Sequence, residues 1–86
     1  MAYCVEIAPA AKRQIKKLSF DIQKRIVKAL EALEQIPRPE GCTKLKGADS
    51  LYRIRVGDYR IVYDIQDDVL QVLVVRVGHR RNVYRS

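Results

Sequence analysis

Residues Leu51–Ile65 read LYRIRVGDYRIVYDI, two runs of alternating side chains on either side of Gly57-Asp58. No other stretch constrains the fold as tightly. A period of two is the period of a strand. A Gly-first pair between two such runs specifies a two-residue β-hairpin turn. The turn also sets the register: Val56 opposes Tyr59, Arg55 opposes Arg60, Ile54 opposes Ile61, Arg53 opposes Val62 and Tyr52 opposes Tyr63. Alternation then assigns Tyr52, Ile54, Val56, Tyr59, Ile61 and Tyr63 to one face, which needs a cover. Arg53, Arg55 and Arg60 share the other face.

The rest of the chain supplies the cover. Tyr3, Val5 and Ile7 alternate with Cys4 and Glu6, which predicts a first strand. Pro9 suits the first turn of a helix whose apolar stripe is Ala11, Ile15 and Leu18. Ser19 is a natural N-cap for a second helix, in which Ile22, Ile26, Leu30 and Leu33 are spaced by four, four and three. Pro37 and Pro39 end it. Two helices joined by so short a link form a hairpin. Val69–Gly78 is nearly continuous Val and Leu, as expected of a central strand covered on both faces. The predicted fold is α+β, in the order β-α-α-β-β-β. It has a mostly antiparallel four-stranded sheet with the helical hairpin packed on one face, in a single domain over residues 1–86.

The arginine face raises a physical problem. Like charges directly opposite on a sheet destabilise it by a few tenths to about 1 kcal/mol. Asp64 is the only acid on this face of the hairpin, and the register lets it neutralise one arginine at most. An anion from outside the chain would resolve the conflict. Arginine's planar fork matches phosphate with two parallel hydrogen bonds. All seven lysines precede residue 50, whereas residues 51–86 carry seven of the ten arginines. The tail, RVGHRRNVYRS, adds His79, Arg80, Arg81 and Arg85 around Tyr84. Aromatic stacking on bases with arginines on the backbone is a common way to hold single-stranded RNA.

Charge and composition narrow the function classes. A net charge of +7 calls for a polyanionic partner. No apolar run approaches the roughly 20 residues of a membrane span. MAYCVEIAPA lacks the charged-then-apolar pattern of a signal peptide, so a cytoplasmic location is expected and no membrane partner. Cys4 and Cys42 are read as reduced thiols. With one histidine and no CxxC spacing, they cannot build a tetrahedral zinc site by themselves.

The order of elements, KLKG at Lys44–Gly47, YRIRVGDYRIVY at Tyr52–Tyr63 and VRVGHRRNVY at Val75–Tyr84 together resemble the RelE toxins of the RelE/ParE superfamily. The resemblance runs through nearly the whole chain. It implies the toxin of a type II toxin–antitoxin system, a RelE-like endoribonuclease that cleaves mRNA in the ribosomal A site without metal or other cofactor. The 2′-hydroxyl would attack the adjacent phosphate and leave a cyclic phosphate. Its implied partners are mRNA on the ribosome, with 16S rRNA contacts, and an acidic RelB-like antitoxin.

The resemblance also implies roles. Arg53 and Arg55 would hold the RNA backbone, with Lys44, Lys46 and Arg81 as further phosphate contacts. Arg60 would stabilise the transition-state phosphate, with Arg55 beside it, and Arg80 would sit near the leaving 5′-oxygen. Tyr84 would stack on a base and take the 2′-proton. Some family members carry Lys where this chain has Arg53 and Arg55. Guanidinium stays charged and is a poor base. General base duty therefore falls to Tyr84 or His79, and the sequence leaves both open. Two other functions compete with the endoribonuclease reading. A ParE-like inhibitor of DNA gyrase would not need Arg60, Arg80 and Tyr84 together. An RNA-binding module without catalysis explains the charge but not the clustering of an arginine pair with a terminal tyrosine.

Overall fold

The computed structural model describes residues 2–47 and 50–79. Strand β1 spans Cys4–Ile7, with Val5 and Ile7 turned toward the core and Cys4 and Glu6 exposed. Helix α1, Pro9–Lys16, starts on its proline and buries Ala11 completely. Helix α2, Phe20–Gln35, is capped by Ser19, whose Oγ accepts the Ile22 N–H at 3.4 Å. Asp21 in its first turn complements the helix dipole. Ile26, Leu30 and Leu33 form its buried stripe.

Four more strands follow: β2 (Thr43–Lys44), β3 (Leu51–Val56), β4 (Tyr59–Gln66) and β5 (Gln71–His79). Among the described residues they form one five-stranded sheet in the order β1-β5-β4-β3-β2. Only the β1–β5 pair is parallel. Both helices lie on the same face, α1 over β5 and α2 over β1 and β3. Their buried residues join Ile54, Ile61, Tyr63, Ile65, Val72, Val74 and Val77 in one core.

The structure departs from the sequence reading at three places. The sheet has five strands rather than four, because Thr43 and Lys44 pair with Arg53 and Tyr52 at the edge. A two-residue strand has no alternation to read. The last strand begins at Gln71, not Val69. Asp67–Val69 instead forms a 3₁₀ turn that leaves Val69 62% exposed and ends on Leu70 in the left-handed region, φ 51°. Finally, among the described residues, helices cover β5 on one face only, and Leu73 and Val75 on its other side are half-buried. It also runs on through Gly78 to His79. A bulge accommodates Val75, since Val62 opposes Arg76 while Tyr63 opposes Val74.

The 36–42 loop is pinned from three sides. Tyr63 is fully buried, yet its hydroxyl donates to the Pro37 carbonyl at 2.8 Å. Burial pushes that phenol well above its usual range. Arg38 makes a two-pronged pair with Asp67, at 3.0 and 2.7 Å, and its Nε donates to the Tyr52 hydroxyl at 3.1 Å. The Tyr3 hydroxyl donates to the same carboxylate at 2.7 Å. The Arg38 guanidinium, then Tyr3, hold the Asp67 carboxyl down at about 2. Loop, N-terminus and 3₁₀ turn are thereby tied together at the end of the sheet where β4 gives way to β5.

Candidate nucleic-acid interface

The hairpin adopts the register the sequence dictates, from Val56–Tyr59 through Arg55–Arg60 to Tyr52–Tyr63. Gly57 has φ +60°, and Asp58 is not among the residues of positive φ, which is the signature of a Gly-first, type II′ turn. That turn's twist matches the strands, so the two arginines stand directly across from each other. Ile54 and Ile61 point the opposite way, into the core.

The arginine face is concave. Gly41, Thr43, Arg53, Ile54, Arg55 and Arg60 line a pocket of about 150 Å³. None of these lining residues is acidic. Arg55 is exposed, but its Nε donates to the Gly57 carbonyl at 3.0 Å, which fixes the fork relative to its own turn. Arg53 and Arg60 are half-buried, and one terminal nitrogen of Arg60 is shielded from solvent. Opposite Arg60 on β5 stands Gly78, so no side chain crowds that guanidinium from the neighbouring strand at this position. Asp64 accepts from Gln66 Nε2 at 2.7 Å. A shallow cavity with three guanidiniums in its wall can bind a tetrahedral anion by forked, charge-assisted hydrogen bonds. It can also stabilise negative charge that builds up on one.

Gly41 and Thr43 escaped the sequence reading. Thr43 opposes Arg53 on β2 and brings its hydroxyl onto the arginine face. The available signal was its place one residue before Lys44, which fixes the alternate parity. By that parity Lys44, opposite Tyr52, falls on the other side, and Lys46 lies in the turn beyond β2. Neither lines the pocket. His79 opposes Tyr59, with its ring edge-on at 5.7 Å. Alternation puts both on the face away from Arg53, Arg55 and Arg60. Arg80, Arg81 and Tyr84 lie outside the described residues. Among the described residues, no three His, Cys, Asp or Glu side chains gather into a metal-binding group.

Comparison with known proteins follows the same lines. A family described as the ParE toxin of the type II toxin–antitoxin system, parDE, matches residues 5–84. The mRNA interferase toxin RelE of Escherichia coli K12 is 32% identical over 82 residues, covering 93% of this chain and 85% of that protein. Toxin RelG of Mycobacterium tuberculosis is 31% identical over 86 residues and 99% of both chains. Among solved structures, the archaeal RelE–RelB complex from Pyrococcus horikoshii superposes with a TM-score of 0.85 at 26% identity, over 95% of this chain and 99% of that one. The isolated E. coli RelE toxin in its P21 crystal form gives 0.80 at 31% identity, over 96% and 92%.

Proposed function

The chain belongs to the RelE/ParE superfamily of toxins from type II toxin–antitoxin systems, and from that premise we propose that it is a ribosome-dependent endoribonuclease that cuts mRNA in the A site. The observation that carries this reading is the pocket walled by Arg53, Arg55 and Arg60, with no acid among its described lining residues. Such a pocket suits an RNA phosphodiester flanked by a 2′-hydroxyl. That hydroxyl attacks the adjacent phosphorus, the bond to the 5′-oxygen breaks, and a 2′,3′-cyclic phosphate and a free 5′-hydroxyl result. Charge builds on the non-bridging oxygens as the bond forms. Preorganised donors aimed at that charge are commonly the largest catalytic contribution, and losing one costs about 10²–10³ in rate.

Arg60, half-buried and facing Gly78, is the residue for that task, with Arg55 beside it and Arg53 on the backbone. Arg80 would assist the leaving oxygen. Tyr84 would accept the 2′-proton; His79, on the face away from the arginines, is the less suitable acceptor. A pocket of three guanidiniums repels a metal cation, which supports a metal-free reaction. Lys44, Lys46 and Arg81 would serve as outer phosphate contacts, to mRNA or 16S rRNA. A chain of net charge +7 also suits an acidic RelB-like antitoxin, folding as it wraps the toxin. Cytoplasmic residence follows from that target.

The matched family's description as ParE favours one second reading, a DNA gyrase inhibitor. A cell-free assay separates the two. The purified chain should stop protein synthesis in a coupled extract and leave gyrase supercoiling of a plasmid unchanged. Unimpaired translation together with blocked supercoiling would transfer the assignment to gyrase.

A further inference from the structure

The arginine pocket has a neighbour. A second cavity of about 390 Å³ adjoins it, and the two share Gly41, Ile54 and Arg55. Ala29 and Ala32 of α2, with Pro39 and Glu40 of the pinned loop, form its other walls. It opens where β2 stops: pairing reaches Arg53 on β3 and goes no further toward the hairpin tip. Its volume falls in the range of small-molecule sites, roughly 300–1,000 Å³. Arg55 belongs to both cavities, Ala29, Ala32, Ile54 and Pro39 give the second one apolar walls, and Glu40 is the one acid among its described lining residues.

A nucleotide combines the complementary chemistry: an anion for the arginines, flat apolar faces for the alanine and proline walls, and an edge of donors for the carboxylate. A carboxylate also chooses among bases. Guanine presents N1–H and N2–H side by side and can give Glu40 two hydrogen bonds. Adenine and cytosine offer one amino group beside an acceptor nitrogen. Uracil offers one N–H between two carbonyls. The geometry points to a guanine-accepting base subsite on the Ala29–Ala32–Pro39–Glu40 shelf, filled by the nucleotide whose phosphate occupies the arginine pocket. This rests on the phosphate-binding reading of that pocket. The charges set the direction, since a nucleotide entered backwards would bring phosphate to Glu40. Unpaired bases are commonly read in this way, by stacking and by hydrogen bonds to the Watson–Crick edge.

The test uses the full chain, titrated with inorganic phosphate, guanosine 3′-monophosphate and uridine 3′-monophosphate while amide NMR shifts are followed. The guanosine nucleotide should bind about tenfold tighter than either other probe, the scale of one two-pronged base contact. Glu40→Gln should bring the two nucleotides to within about twofold of each other and leave phosphate affinity unchanged. Ala32→Leu keeps a strong helix former on an exposed position of α2 and fills the shelf. It should reduce both nucleotides to the affinity of phosphate, with the amide spectrum reporting an intact fold. Phosphate and both nucleotides binding equally to the unaltered chain would overturn the subsite and leave the arginine pocket standing. A guanosine preference that survives Ala32→Leu would overturn the subsite as well. Failure of the unaltered chain to bind any probe, phosphate included, would overturn the pocket reading and the subsite with it.

Discussion

Arg60 and Ile54 sit one cross-strand step apart, on opposite faces of the same hairpin, and their substitutions should fail in opposite ways. Arg60→Ala removes a guanidinium from the pocket but leaves the core face untouched. Cleavage should fall by about 10²-fold or more, with cooperative unfolding retained. Ile54→Asp leaves the three arginines in place and drives a carboxylate into a site only 8% exposed. Desolvation of an unpaired charge costs several kcal/mol, a large share of the roughly 5–15 kcal/mol that holds a domain together. Its urea midpoint should collapse, and toxicity with it. A stable Ile54→Asp variant, or an unfolded Arg60→Ala variant, would mean that the two faces are assigned the wrong way round. This residue-level alternation was fully legible, because a two-residue turn converts a sequence pattern into a register without help from the rest of the chain.

At the scale of the element, the hairpin depends on its turn. The nearest atoms that a Cβ at Gly57 would meet are those of the Arg25 guanidinium, at 3.5 Å, an ordinary contact. The cost of Gly57→Ala is therefore conformational, about 1–2 kcal/mol for an L-residue held at φ +60°. Thermal unfolding should shift down accordingly, and the Arg55–Arg60 alignment should loosen with it. The loop that carries Gly41 depends on a different device. Asp67 is ionised down to about pH 2 in the folded chain, against about 3.9 for a free carboxyl. Its contribution is complete above the unfolded value and is lost as pH falls through about 2. The stability difference between the unaltered chain and Asp67→Asn should thus be constant above pH 5 and shrink between about pH 4 and 2. A difference that stays flat through that interval would show that the Arg38–Asp67 pair contributes nothing to folding. The loop and its latch were not legible in the sequence. Arg38 and Asp67 are 29 residues apart, and nothing local says that Tyr3, from the other end of the chain, completes the site. The short strand Thr43–Lys44 was missed for a related reason, since its partner, not its own pattern, makes it a strand.

At the scale of the molecule, the sheet sorts chemistry by face. Helices, core and apolar stripes occupy one side, and the arginines occupy the other. The element order and the helical stripes carry that division in the sequence, because both helices need one apolar face of the sheet. The sequence could not show which basic residues converge. Lys44 and Lys46 belong to the same basic region as the arginines yet do not line the pocket, whereas the uncharged Thr43 does. Convergence is set by the edge register, which a list of charges does not contain. On the proposed reading, this arginine face takes its phosphate from mRNA on the ribosome. The direct measurement is primer extension on an mRNA held in programmed ribosomes, with and without the purified chain, beside the same mRNA naked. New termini at the A-site codon of the ribosome-bound message, absent with Arg60→Ala, are the predicted result. No new terminus on either template, from folded protein, would contradict it and leave the arginine face a docking surface rather than a nuclease site.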